Sequence, residues 1–277
     1  MGSNAFGNSN SATGVNSTAV GFSNQAAMQD SSAIGFDNFA NGVGASAVGY
    51  FNNARAQFSA AVGYDNDADA FGSSALGSSN QATGVVSAAV GASNEAAMEQ
   101  SSAIGFDNFA NGIAASAVGN SNAARNDFST AVGFDNGADG EGSSAIGFNN
   151  VTNAEDSSAM GHQNEANGTA STAFGYQNEA DGDFSTALGA NSTAAADFSL
   201  TIGNSADDEA GTRVDAGATN GIAIGRNAAV TAGGLNAIAF GVQAGATADN
   251  AIALGSSASS GALNGLALGS GAVVELT

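Results

Sequence analysis

The chain has 277 residues and contains no cysteine, no proline, no tryptophan and no lysine. Without cysteine it forms neither disulfide bonds nor thiolate metal sites, and the redox character of its compartment stays open. No apolar run approaches the roughly 18 residues that a membrane-spanning helix needs, so we expect no membrane contact by this segment. The single histidine, His162, provides little material for acid–base catalysis.

Positive charge is scarce. The chain has 25 Asp and Glu residues against four arginines, which gives a formal net charge of −21. Such a surface repels nucleic-acid phosphates and anionic lipid, so we predict neither as a partner. Acidic, lysine-free chains are typical of halophiles, in whose salt the Debye length falls to about 3 Å at 1 M. We therefore hypothesise a halophilic source, with an ordinary acidic surface protein as the alternative.

Glycine is abundant and recurs at a fixed spacing. From Gly7 to Gly203 a glycine stands at every 14th position, and after a break the spacing returns at Gly255 and Gly269. Each glycine ends a phrase such as Ser31-Ser32-Ala33-Ile34-Gly35, with a large apolar residue before the glycine and Ala before that, except at Thr201. This alternation predicts a short β-strand, and the glycine predicts a positive φ or a close backbone approach.

A second phrase follows each glycine. Asn stands three residues past it, in an unbroken column from Asn10 to Asn178, and Ala follows two residues further on, except at Thr152. This phrase predicts a turn and a second strand, so each 14-residue coil has two strands and two turns. We therefore predict an all-β fold, a parallel β-solenoid. The stacked Asn amides could form a hydrogen-bonded ladder as in cross-β assemblies, or the column could reflect turn preference alone.

Irregular spacing divides the chain into three parts. Residues 1–203 form a regular array of 14-residue coils, and residues 204–221, which include Asp207, Asp208 and Glu209, are expected to form an inserted loop. Residues 222–277 form a second β-roll section with Ile- and Leu-rich coils, such as Ile252-Ala253-Leu254-Gly255. Because these coils carry two large apolar residues per strand, we expect a thicker core there.

Two of these phrases carry a family resemblance: Ala251-Ile252-Ala253-Leu254-Gly255-Ser256-Ser257-Ala258 and Ile222-Ala223-Ile224-Gly225-Arg226-Asn227-Ala228. They resemble the head repeats of YadA-like trimeric autotransporter adhesins, and the resemblance extends over almost the whole chain. It implies a left-handed parallel β-roll, a homotrimer around a common axis, and exposure at the cell surface. The family's neck, stalk and membrane-anchor motifs are not found in the sequence.

The resemblance implies adhesion rather than catalysis. We expect a non-enzymatic head or fibre segment, at the cell surface or extracellular, that attaches to a receptor by multivalent contacts. The receptor would belong to a host cell, a neighbouring cell or the matrix, and would be protein or glycan. A shaft or receptor-binding part of a virus tail fibre is the alternative, with the virion as its location.

No residue is predicted to be catalytic, to bind a cofactor or to bind a metal. His162 stands in a column otherwise rich in Phe and Tyr, so we interpret it as a packing substitution. That aromatic column is either an exposed stripe that binds glycan or protein, or a column of packed side chains, for example between chains. The carboxylates of Asp65, Asp67 and Asp69, or of the acidic 207–209 segment, could suit Ca²⁺ but are expected to be solvated.

Overall fold

The computed structural model describes residues 2–205 and 211–275, and no helix occurs among them. Five-residue strands alternate with two-residue strands, and the chain divides into two compact units, Met1–Asp135 and Asn136–Thr277. The predicted all-β class and the 14-residue parallel solenoid are confirmed.

The first unit contains ten long strands and nine short ones. Its long strands are β1 (Asn4–Asn8), β3 (Thr18–Phe22), β5 (Ser32–Phe36), β7 (Ser46–Tyr50), β9 (Ala60–Tyr64), β11 (Ser74–Ser78), β13 (Ala88–Ala92), β15 (Ser102–Phe106), β17 (Ser116–Asn120) and β19 (Thr130–Phe134). Its short strands are β2 (Ser11–Ala12), β4 (Gln25–Ala26), β6 (Phe39–Ala40), β8 (Asn53–Ala54), β10 (Asp67–Ala68), β12 (Gln81–Ala82), β14 (Glu95–Ala96), β16 (Phe109–Ala110) and β18 (Ala123–Ala124).

The second unit continues the alternation, with shorter long strands after residue 221. Its long strands are β21 (Ser144–Phe148), β23 (Ser158–His162), β25 (Thr172–Tyr176), β27 (Thr186–Ala190), β29 (Leu200–Asn204), β31 (Ile222–Ile224), β33 (Ile238–Phe240), β35 (Ile252–Leu254) and β37 (Leu266–Leu268). Its short strands are β20 (Gly137–Ala138), β22 (Val151–Thr152), β24 (Glu165–Ala166), β26 (Glu179–Ala180), β28 (Thr193–Ala194), β30 (Arg213–Val214), β32 (Ala229–Val230), β34 (Gly245–Ala246), β36 (Ser259–Ser260) and β38 (Val273–Val274).

Strands of the same kind pair in parallel and in register from coil to coil. In the first unit Ala19 lies opposite Ala33 in the long-strand sheet, and Ala26 lies opposite Ala40 in the short-strand sheet. Identical positions therefore stack along the roll, which is why the sequence repeats with so little variation in its inward positions.

The core consists of small side chains. Ala33 and Ala40 are fully buried, together with Ser31 and Asn38 from the turns of the same coil. Apart from Val214 and Val230, the largest fully buried side chains in the described residues are asparagines. The two sheets therefore pack against each other mainly through Ala, Ser and Asn side chains.

The repeated glycine is required by a close approach between coils. Gly105 has φ of +124°, and a Cβ there would run into the carbonyl oxygen of Gly119 in the next coil. Only glycine combines this backbone angle with that contact. The predicted reason for the glycine column is confirmed.

The asparagine column forms the ladder that the sequence left open. The Asn38 Nδ2 donates to the Asn24 Oδ1 at 2.9 Å, and the Asn52 Nδ2 donates to the Asn38 Oδ1 at the same distance. Each amide also donates to backbone carbonyls, as Asn38 does to Ile34 at 3.1 Å and to Gly49 at 2.8 Å. The ladder therefore satisfies the buried polar groups of the turn as well as joining the coils.

The long strands of the C-terminal coils do not supply the thicker core that the sequence suggested, and the larger buried side chain there is Val230 of a short strand. In β35 the buried residue is Ala253, whereas Ile252 and Leu254 on either side of it point outward and are exposed. The expectation was wrong because the two large residues share one side of the strand, and that side is the outer one.

The roll is resumed before residue 222. Arg213 and Val214 of β30 pair with Thr193 and Ala194 in the short-strand sheet, and Leu200 of β29 pairs with Ile222 of β31. Residues 206–210, which include the acidic 207–209 segment, lie outside the described residues. The division into 1–203, 204–221 and 222–277 remains a prediction.

Candidate interaction surface

The long strands present an outer face made of three columns of side chains. We name them by their distance from the coil glycine: the upstream column lies three residues before it, the middle column one before it and the downstream column one after it. In β15 these are Ser102, Ile104 and Phe106, whereas Ala103 points into the core. Strand alternation places all three on the same side.

The outer face is free of acidic residues. No long strand in the described residues has Asp or Glu in any of the three columns, although the chain contains 25 of them. Carboxylates lie instead on the short strands, as at Asp67 and Glu95, and in the turns, as at Asp30 and Asp65. The one formal charge in these columns is that of Arg226.

Large apolar side chains are exposed on this face. In the middle column Ile34 is 40% exposed, Phe174 50% and Leu268 66%. Soluble monomers rarely leave a long contiguous apolar stripe open to water, and such stripes mark interaction sites. Sequence reasoning had located these residues in a strand but had not identified which side of the strand they occupy.

Aromatic rings of the downstream column stack along the roll. In the first unit the ring centroids of Phe22, Phe36, Tyr50 and Tyr64 are 5.1, 4.7 and 5.5 Å apart, with nearly parallel planes. Stacked rings cover one another's faces and turn their edges outward. A sugar ring stacks on an open aromatic face, so this arrangement favours packing against protein over glycan stacking.

His162 is part of the same kind of stack in the second unit. Its ring lies 4.8 Å from that of Phe148 and 5.0 Å from that of Tyr176. The Nδ1 atom has no hydrogen-bond partner among the described residues. The side chain therefore behaves as a packing residue of the column, as its position in the sequence indicates.

Two of the carboxylates considered for Ca²⁺, those of Asp67 and Asp69, bind neighbouring side chains. Arg55 contacts Asp69 at 2.7 Å and Asp67 at 3.8 Å, and the Asn53 Nδ2 donates to Asp67 at 2.7 Å. Asp65 lies in the preceding turn with φ of 55°. In the described part of the chain, no group of three or more His, Asp or Glu residues is arranged to hold a metal ion.

One carboxylate has a shifted pKa. Glu179 stacks on Glu165 in the short-strand sheet and lies near Asp181. Burial, followed by repulsion from Asp181 and Glu165, raises the pKa of Glu179 from 4.5 to about 7. Both glutamates line a surface depression of about 380 Å³ together with Asn149, Val151, Gln163, Gln177 and Asn178.

A second set of exposed aromatics occupies the turn after the short strand. Phe58, Phe128, Phe184 and Phe198 each lie five residues before a coil glycine and have φ between 56° and 59°. All four are more than half exposed, and the rings of Phe184 and Phe198 stack at 5.1 Å. A left-handed conformation is unfavourable for Phe, and the fixed spacing was the signal that could have identified this turn.

In the described residues, no helix is long and apolar enough to cross a membrane. Among curated proteins, none matches the chain significantly. A family model described as the YadA head domain repeat, in two copies, matches ten segments: residues 2–24, 12–38, 26–52, 40–66, 110–136, 138–164, 153–178, 166–192, 180–206 and 232–258. These segments cover more than half of the sequence and have the coil period seen in the structure. The chain therefore belongs to the YadA head domain repeat family.

Proposed function

We propose that this chain is a non-enzymatic, homotrimeric segment of an adhesin, held at a cell surface, that mediates attachment by multivalent contacts. The receptor belongs to a host cell, a neighbouring cell or the matrix. YadA-like proteins generally form homotrimers, bind host surfaces and are surface-exposed, which supports this assignment. Among the described residues the repeated coil gathers no catalytic groups into one pocket, which suits a scaffold better than an enzyme.

The observation that carries the proposal is the acid-free outer face. Two copies with a net charge of −21 each repel one another, and only a surface without carboxylates lets them approach closely. The outer face meets this condition and also exposes apolar side chains such as Ile104 and Phe106. Covering it with a second copy removes apolar area from water, at about 25 cal/mol per Å².

Three copies around one axis would leave the acidic short strands and turns facing outward. Each copy then presents the same outward positions at the same height, so one weak receptor site becomes three. Linked weak sites can raise overall affinity by a factor of about 10² to 10⁴ without any new contact. Adhesion would follow from repetition rather than from one tight pocket.

The test compares acidic substitutions on the two faces of the roll. The outer-face variant carries Ile34→Asp, Val62→Asp and Ile104→Asp. The matched control carries three aspartates on the short-strand face, Phe39→Asp, Gln81→Asp and Phe109→Asp. Both variants gain the same charge. We expect the first to lose association and the second to keep it, because only the first set faces another copy.

Adhesion is measured with beads that carry each protein at equal density, incubated with cells or matrix. Wild-type and control beads should bind, whereas beads with the outer-face variant should bind at least about tenfold less, in keeping with lost avidity. Equal binding by all three would contradict a multivalent mechanism. The association of each variant is measured as its molar mass in solution. Equal molar masses of the two variants would contradict the proposal that the outer face is the surface between copies.

A further inference from the structure

The apolar columns of the outer face change position within the second unit. In β21, β23 and β25 the middle and downstream columns carry the large side chains, as in Phe174 and Tyr176, and the upstream column is small and polar, as in Thr172. The middle column holds Ile146, Met160 and Phe174, and the downstream column holds Phe148, His162 and Tyr176. The upstream column holds Ser144, Ser158 and Thr172.

From β29 onward the pattern is shifted upstream, because Leu200 and Ile202 are followed by Asn204 in the downstream column. In β35 the upstream and middle residues are Ile252 and Leu254, whereas the downstream position is held by Ser256 in the turn that follows the strand. The other coils after residue 221 have the same pattern. Their upstream and middle pairs are Ile222 with Ile224, Ile238 with Phe240 and Leu266 with Leu268. Their downstream residues are Arg226, Val242 and Ser270, of which only Val242 is apolar.

The charge beside the upstream column changes one coil after the apolar columns do. Six residues before the coil glycine, four of the five earlier coils of this unit have exposed carboxylates, at Glu141, Glu155, Asp183 and Asp197, and the fifth has Thr169. In the coils after residue 221 the same position holds the exposed Leu235 and Leu263. Thr219 and Asp249 are the exceptions, and the Asp249 Oδ1 accepts from the Leu235 N–H at 3.1 Å.

These two observations are independent and agree to within one coil. Where the upstream column is polar, acids in the adjoining turn keep that side of the face in water. Where the upstream column is apolar, leucines extend the apolar surface onto that turn, and the opposite side carries Arg226, Ser256 and Ser270 instead. A surface between copies avoids unpaired charge and covers apolar area, so its position follows the apolar columns.

We propose that the line of contact between copies steps sideways along the outer face. It runs over the middle and downstream columns in β21, β23 and β25 and over the upstream and middle columns from Leu200 onward. The displacement is two residues along the strand, about 7 Å at 3.3 Å per residue. The sideways step rests on the proposed association of like chains, and it specifies which side chains of each copy contact the partner copy.

The test uses thiol protection, since the chain has no cysteine of its own. Four single variants probe one coil from each section: Ser158→Cys and His162→Cys, and Ile252→Cys and Ser256→Cys. All four positions are at least partly exposed in the single chain, so protection reports association. We expect the thiols of H162C and I252C to react with a soluble disulfide reagent at least about tenfold more slowly than those of S158C and S256C.

The sideways step is supported if the protected thiol is the downstream one in the earlier coil, H162C, and the upstream one in the later coil, I252C. Protection of the downstream thiol in both coils, or of the upstream thiol in both, would show a straight contact line and overturn it. A wild-type molar mass of one chain would overturn the association itself, and with it the step. A second set of variants repeats the comparison in case one substitution impairs folding: Thr172→Cys, Tyr176→Cys, Leu266→Cys and Ser270→Cys.

Discussion

At the scale of single residues, this roll is held by groups that are small, polar and repeated. Asn108 is an example. Its Nδ2 donates to the Asn94 Oδ1 at 2.9 Å, to the Ile104 carbonyl at 3.1 Å and to the Gly119 carbonyl at 2.9 Å. Its Oδ1 accepts from Asn122 of the following coil. Alanine in the inward positions provides close packing but little buried area, so these bonds secure the turn.

Replacing one ladder asparagine should therefore be costly. Asn108→Ala leaves buried carbonyls and an N–H of the next coil without a partner, and each such group costs about 1–3 kcal/mol. We expect a loss of about 3 kcal/mol or more in the free energy of unfolding, measured by chemical denaturation and circular dichroism. Gln81→Ala, on the exposed short-strand face, is the control and should change little. Equal effects of the two substitutions would contradict a stabilising ladder.

At the scale of the strand, the sequence predicts the element but not its orientation. The alternation in Ser102-Ala103-Ile104-Gly105 indicates a strand, and the period locates its neighbours. Which side is buried could not be read from hydrophobicity, because the buried residue is Ala and the exposed ones are larger. Hydrophobic burial normally decides this, and here the narrow space between the sheets overrides it.

The raised pKa of Glu179 gives the short-strand sheet a pH dependence. A folded-state value of about 7 against an ordinary 4.5 means that the folded state binds more protons between these pH values. Stability is therefore highest below about pH 4.5 for this group and falls as pH rises to about 7.

Glu179→Gln removes that dependence. We expect the variant to melt at a higher temperature than wild type above pH 7, and at nearly the same temperature below pH 4.5, in scans followed by circular dichroism. Glu95→Gln is the matched control, since Glu95 occupies the same strand position but lies between Gln81 and Phe109 rather than beside carboxylates. A larger gain for E95Q than for E179Q at pH 8 would contradict the carboxylate cluster as the cause.

At the scale of the whole molecule, charge and repetition determine behaviour together. Periodicity predicted the parallel solenoid because every coil repeats the same pattern of residues, but it did not decide between an asparagine ladder and a turn preference. The acid-free outer face could have been found from the sequence only by knowing which columns point outward. The family resemblance supplied the expectation of three copies, and the distribution of carboxylates supplies a physical reason for association.

Salt should affect this association because the remaining surface is strongly acidic. At about 0.1 M salt the Debye length is about 10 Å, and carboxylates on neighbouring copies still repel one another. In concentrated salt that repulsion is screened, while burial of the apolar columns is not weakened. A trimer that requires high salt would support the hypothesis of a halophilic source, and one that is stable at both would favour an ordinary acidic surface protein.

The molar mass in solution, measured by light scattering at about 0.1 M and about 3 M salt, tests the central claim most directly. We expect three times the chain mass of 26.5 kDa in concentrated salt, because the acid-free outer face is then covered by other copies. A mass of 26.5 kDa at both salt concentrations would contradict it, and would mean that the exposed apolar columns of this roll do not join copies of the chain.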